Sequence, residues 1–193
     1  MIGSHIDKII ISRQRISVRV EELAREITRD MSPPGLPPDA RITIVAVMTG
    51  AMVFCADLIR QMPLRLRICT LRVSSYPKTA TSSQGARLIE AQLDGLAGSH
   101  VLLVDDILDS RNTLRMLAPM LDSYGPASVR TCVLLRKDRP EAREFAVDYC
   151  GFDIPDEFVV GYGLDYDDHY RNLPDIVSLK ADVMGQPGIR SLA

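Results

Sequence analysis

The run Val101-Leu102-Leu103-Val104-Asp105-Asp106-Ile107-Leu108-Asp109-Ser110-Arg111-Asn112-Thr113-Leu114 constrains the fold of this chain more than any other. Four apolar residues in succession read as a strand buried on both faces, as strands are in a parallel sheet covered by helices. The acids, hydroxyls and amide that follow belong where a strand hands over to a helix. In an open α/β sheet that handover lies at the carboxyl end of the strand, where ligands bind and a helix N-terminus offers N–H groups to phosphate. Adjacent carboxylates can accept hydrogen bonds from vicinal ribose hydroxyls or attract hydrated Mg²⁺, while Ser110, Asn112 and Thr113 can donate to phosphate oxygens. The pattern suits a sugar phosphate. A plainer reading also fits: Asp105 and Asp106 as turn residues, with Asp109 and Ser110 capping the helix.

The rest of the chain supports an α/β sheet. Ile16, Val20, Leu23, Ile27 and Met31 recur at helical spacing behind Ser12, which suits an N-cap. The Pro- and Gly-rich stretch from Ser32 to Pro38 ends that helix as a loop. Ile42 to Met48 reads as a strand, Gly50 to Met62 as a helix and Leu66 to Val73 as a second strand. The polar stretch Ser74 to Gln84, with Ala86 to Leu93 returning as a strand, reads as a long flexible hairpin. After the signature strand comes a helix in which Pro119 predicts a kink, then a strand from Val129 to Leu135. Strands alternating with helices imply a mainly parallel sheet covered on both faces.

Composition sets the remaining bounds. A chain of 193 residues that is 46% hydrophobic can bury one substantial core without staples, so a single domain over residues 1–193 is expected. A formal charge of −2 gives no electrostatic case for nucleic acid or a membrane surface. Cys55, Cys69, Cys132 and Cys150 form no CxxC pair, and no disulfide framework is expected. With no terminal apolar run long enough to span a bilayer and no signal-peptide pattern, the expected compartment is the cytoplasm.

The fourteen residues from Val101 resemble the phosphoribosyl-pyrophosphate signature of the type I phosphoribosyltransferases, with Arg111 standing where that family has Gly. Phe158-Val159-Val160-Gly161-Tyr162-Gly163-Leu164-Asp165-Tyr166 resembles the segment by which hypoxanthine-guanine phosphoribosyltransferases hold a 6-oxopurine. Leu134-Leu135-Arg136-Lys137, Ser74-Ser75-Tyr76 and Met48-Thr49-Gly50 fall in that family's order and approximate spacing, so the likeness runs from about Ile6 to Lys180. Taken singly, each motif has an ordinary reading: Phe158 as core, Lys137 as a solvated charge, Asp165 as a turn acid, Arg171 as a surface cation, Ser74 to Tyr76 as a loop. Their joint occurrence carries the resemblance.

The resemblance implies the type I phosphoribosyltransferase fold, with a flexible hairpin lid and a small hood. It implies transfer of 5-phosphoribosyl from phosphoribosyl pyrophosphate to N9 of hypoxanthine or guanine, releasing pyrophosphate, with Mg²⁺ as cofactor and a homodimer or homotetramer as the assembly. By that resemblance Asp105 and Asp106 would serve the ribose hydroxyls and Mg²⁺. Asp109 would be the general base or acceptor at purine N7, and Ser110, Arg111, Asn112 and Thr113 would cradle the 5′-phosphate. Lys137 would donate to O6, Phe158 would stack on the base and Val159 would address its edge through the backbone. Asp165 would serve Mg²⁺, Arg171 with the Thr49-Gly50 peptide would hold pyrophosphate, and Ser75 and Tyr76 would close as a lid. The pyrophosphate loop, which would carry a non-proline cis peptide, has Thr49 where the family often has Lys. A nucleotide-binding regulator built on the same fold is the alternative, and a side chain at position 111 would suit it, because Gly there permits close approach of a phosphate.

Overall fold

The computed structural model describes residues 2–32, 40–74, 87–109 and 113–184. The polar hairpin tip, the Pro-rich loop after the first helix and three cradle positions, Ser110, Arg111 and Asn112, lie outside the described residues, as do Ser75 and Tyr76.

After a short 3-10 turn the chain forms β1 (Ile6–Ile11) and α1 (Arg13–Met31). Ser12 caps α1, its side chain accepting from the Arg15 N–H, and Ile16, Val20, Leu23, Ala24, Ile27 and Met31 form the buried stripe that the spacing predicts. Burying each large apolar side chain contributes roughly 1.5–3 kcal/mol, which is what holds α1 to the sheet. There follow β2 (Ile42–Met48), α2 (Met52–Arg60), β3 (Leu66–Ser74) and β4 (Arg87–Gln92). Then come β5 (His100–Leu108), α3 (Thr113–Asp122, with Pro119 inside it) and β6 (Ser128–Lys137). The chain closes with α4 (Pro140–Arg143), β7 (Tyr149–Ile154) and β8 (Ile176–Leu179).

The main sheet runs in the order β4-β3-β2-β5-β6-β7 and is parallel except at its edge, where β4 returns antiparallel to β3. One face, with Ile44, Leu102, Val104 and Leu134, packs on α1 and α2; the other, with Val45, Leu103 and Val133, packs on Leu114, Leu117 and Leu121 of α3. A separate two-stranded sheet pairs β1 with β8 antiparallel and joins a small core of Val160, Tyr166, Tyr170, Val177 and Leu179. This is the hood.

Two expectations are corrected. The signature strand does not end at Val104: β5 keeps parallel pairing with β6 through Asp105↔Val133, Ile107↔Leu135 and Leu108↔Arg136, so both acids stand within the strand. Ladder hydrogen bonds on one side outweigh the low strand propensity of Asp. The helix after β2 begins at Met52, with Thr49 and Gly50 forming a turn ahead of it.

From β2 the chain builds outward to β3 on one side, and from β5 to β6 and β7 on the other. The strand order therefore reverses between β2 and β5. At such a switch point the loops leave in opposite directions and open a crevice beyond the strands' carboxyl ends.

Candidate active site

The crevice between β2 and β5 gathers one half of the expected site. The Met48–Thr49 peptide is cis, and the turn it starts brings Gly50 against β5. A Cβ on Gly50 would lie 2.0 Å from Asp106 Oδ2, so only glycine allows the two to meet. Gly163, at φ +105, closes over the same turn: a Cβ there would lie 2.2 Å from the Gly50 carbonyl oxygen. Arg171 is held beside it by Gly163, donating from Nη1 to the Gly163 carbonyl at 2.8 Å, and its Nη2 pairs with Asp165 at 2.8 Å and Asp168 at 3.1 Å. The turn, the acidic strand end and a positioned guanidinium thus stand together.

The acids themselves are costly. Asp105 is only 5% exposed, and burial, reinforced by the neighbouring Asp106 charge, pushes its carboxyl well above the ordinary range. Burial pushes Asp106 up as well, against the pull of the Ile107 N–H donated to Oδ1 and of the Arg171 charge. A cation beside this pair would relieve the like-charge repulsion, so the donor set fits Mg²⁺. Among the described residues no three His, Cys, Asp or Glu side chains stand close enough to hold a metal by themselves. Mg²⁺ as a rule keeps waters and takes one or two carboxylates together with substrate oxygens.

The second half lies at the ends of β5, β6 and β7. Lys137, the last residue of β6, has a side chain only 9% exposed, with Nζ 3.2 Å from Asp109 Oδ2 and 3.7 Å from Asp156 Oδ1. Arg139 donates from Nη1 to Asp109 Oδ1 at 2.8 Å and brings Nε to 2.6 Å from Asp156 Oδ1. Phe158 lies outside the strands, a correction to its reading as core: it is 40% exposed and meets Tyr166 edge-on at 5.5 Å. A half-exposed ring on a loop is available to stack on a planar ligand. Val159 next to it is buried in the main core, and Thr113 opens α3. A half-open cleft of about 460 Å³ lies on the other side of Arg171, between α1 and α2, and does not include the β5 carboxylates. Of the described candidate site residues only Arg171 lines that cleft.

The phosphoribosyl transferase domain family model matches residues 9–167, most of the chain. A curated relative, the hypoxanthine-guanine phosphoribosyltransferase of Mycobacterium avium, is 39% identical over 94% of this chain and 89% of its own length. The chain belongs to the hypoxanthine-guanine phosphoribosyltransferase family. Its fold agrees: the hypoxanthine phosphoribosyltransferase of Staphylococcus aureus superposes with a TM-score of 0.85 at 30% identity, over 96% of this chain and 97% of that one. That of Trypanosoma cruzi superposes with a TM-score of 0.83 at 38% identity, over 93% and 94%. The fold is the type I phosphoribosyltransferase fold, and relatives that carry enzyme names favour the transferase over the regulator.

For this hypoxanthine-guanine phosphoribosyltransferase family member, the structure brings Thr49, Gly50, Asp105, Asp106, Asp165 and Arg171 to one side and Asp109 and Lys137 to the other, while Phe158 packs on Tyr166 and Val159 in the main core. Arg139, Asp156 and Gly163 were not singled out by sequence. Gly163 carried a signal, the Gly161-Tyr162-Gly163 triplet, since paired glycines mark backbone that must bend or approach closely. Arg139 and Asp156 carried none, being charges in loops.

Proposed function

We propose that the chain transfers the 5-phosphoribosyl group of phosphoribosyl pyrophosphate to N9 of hypoxanthine or guanine, giving the nucleoside monophosphate and pyrophosphate. The observation that carries this reading is the Lys137–Asp109 pair, 3.2 Å from Nζ to Oδ2. It sets a donor beside an acceptor, and a 6-oxopurine presents O6 and N7 as neighbours on one edge.

In this reading Lys137 donates to O6, and Asp109 accepts the N7 proton or hydrogen bond as charge develops on the base. Phe158 stacks on the ring and the Val159 backbone meets its far edge. The transition state is oxocarbenium-like, so the protein's task is to align two reactants, hold the separating charge and exclude water. Arg171 and the Thr49-Gly50 peptide take the departing pyrophosphate, Ser110 through Thr113 cradle the 5′-phosphate, and Ser75 and Tyr76 close the site. Asp105 and Asp106 would meet the ribose hydroxyls and the neighbourhood of Mg²⁺ and Asp165 would serve the ion, each together with substrate oxygens, and Mg²⁺ when bound would offset the charge of the pyrophosphate oxygens.

The reading extends to the protein's setting. It acts as one domain within a homodimer or homotetramer, in the cytoplasm. Cys55, Cys69, Cys132 and Cys150 are free, which suits a reducing compartment, and among the described residues no helix is long and apolar enough to cross a membrane. Light scattering of the purified protein reads the assembly directly. The activity is tested by pyrophosphate release with phosphoribosyl pyrophosphate, Mg²⁺ and each base in turn. Product from hypoxanthine or guanine supports the reading, and none above background at saturating substrates refutes it.

A further inference from the structure

Two charged side chains outside the assigned site, Arg139 and Asp156, close a ring with Asp109 and Lys137. Asp109 Oδ1 accepts from Arg139 Nη1 at 2.8 Å, Arg139 Nε lies 2.6 Å from Asp156 Oδ1, the same oxygen lies 3.7 Å from Lys137 Nζ, and Lys137 returns to Asp109 Oδ2 at 3.2 Å. We propose that Arg139 and Asp156 are positioning residues that fix Asp109 and Lys137 as an acceptor–donor couple for the N7/O6 edge of the purine. The proposal rests on the functional reading above and deepens it.

The physical case starts from what each partner lacks alone. A lysine ammonium is a compact charge on a flexible stem, and a carboxylate on a strand end can rotate about two bonds. Neither holds the other at a fixed angle. The guanidinium is a planar group, and with Nη1 hydrogen-bonded to Asp109 Oδ1 and Nε in a 2.6 Å ion pair with Asp156 it ties the two carboxylates together through one rigid side chain. Asp109 Oδ2 lies 3.2 Å from Lys137 Nζ. Asp156 completes the balance, since without it two cations would converge on one carboxylate.

Backbone geometry fixes Arg139 in turn. Its N–H donates to the Lys137 carbonyl at 2.8 Å, the Asp138 N–H donates to the Ile154 carbonyl at 2.8 Å, and α4 starts at the next residue. Asp156 stands two residues ahead of Phe158 in the loop that leaves β7. The ring therefore ties the acceptor, the donor and the loop of the stacking residue into one unit.

A base analogue separates positioning from mere stability. Hypoxanthine presents N7, whereas 7-deazahypoxanthine has carbon there and gains nothing from Asp109. In Arg139→Met, kcat is expected to fall about tenfold, with the KM for phosphoribosyl pyrophosphate within about twofold of wild type. The ratio of the 7-deazahypoxanthine Ki to the hypoxanthine KM should shrink about fivefold, and Arg139→Lys, which keeps the charge without the planar fork, should not restore it. A role confined to stability would move both ligands alike. An unchanged ratio in Arg139→Met, with the wild type active, overturns the assignment. If Arg139→Met does not fold, Asp156→Asn decides by the same ratio, an unchanged value again overturning it. A wild type without transfer activity overturns the functional reading itself, and the proposal with it.

Discussion

Gly50 and Asp106 stand so close that the Cβ missing from one would lie 2.0 Å from a carboxylate oxygen of the other. The contact locks the turn after β2 to the end of β5 across the switch point. Gly50→Ala must push the Asp106 side chain aside or lift the turn away. Overpacking of this kind costs roughly 1–3 kcal/mol, and displacement of an aligned group by a fraction of an ångström slows transfer by about tenfold or more. Thermal melting read beside steady-state turnover checks both effects, and a variant with wild-type values for each removes the constraint.

Asp109 offers the clearest chemical test. Asp109→Asn keeps the shape of the side chain and removes its negative charge, so turnover should fall by about 10²–10⁴-fold, the range of a positioned acid–base group. Binding of phosphoribosyl pyrophosphate should change far less. Near-normal turnover would move the role to another group.

Lys137 sets the choice of base. An ammonium has donors only, so it serves O6 of hypoxanthine or guanine and opposes the N6 amino group of adenine. Adenine is therefore expected to be turned over at no more than about one part in a hundred of the hypoxanthine rate, a discrimination usual for a buried polar group left unpaired. Equal rates in a competition assay would reject the pocket.

A pH dependence of stability comes from the far edge of the sheet. Arg136 grips Asp153 at 2.6 and 3.1 Å, and this hydrogen bonding is the main cause that holds the Asp153 carboxyl below its ordinary value. For an acid with a lowered folded-state pKa, the stability gained is present above the unfolded pKa and is lost as pH falls through the folded one. Because Asp153 is largely exposed, the pair is worth at most about 1 kcal/mol. Arg136→Met should melt slightly below wild type at neutral pH, and the gap should close on acidification below the usual carboxylate range. A gap independent of pH would show that the methylene stem, not the charge, matters there.

What the sequence disclosed depended on how local the cause was. The stripe of α1 and the run Ile42 to Met48 are each set by their own residues, and the elements follow them closely. By contrast β1 carries four isoleucines but breaks the pattern with Asp7 and Lys8, and its partner β8 lies at the other end of the chain, so its pairing is not legible locally. β7 includes Gly151, whose absent Cβ would lie 2.4 Å from the Leu134 carbonyl oxygen, a requirement visible only once β6 is beside it. The acids of β5 read as a turn because propensity is local, whereas the ladder that keeps them in the strand is not. The same division holds in the site. Lys137 and Phe158 could be picked out by motif, while Arg139 and Asp156 gain meaning only where β6 and β7 end side by side.

The buried Asp105–Asp106 pair also bears on how long the protein survives in a cell. Burial pushes both carboxyls up, and the Asp106 charge pushes Asp105 further, so keeping both ionised at neutral pH costs the folded protein stability. Ligands that bind the folded form alone add stability by mass action, and degradation through the unfolded form slows in proportion. A donor that binds at these acids is therefore expected to raise the melting temperature of the protein as its concentration rises, which thermal melting at graded phosphoribosyl pyrophosphate checks.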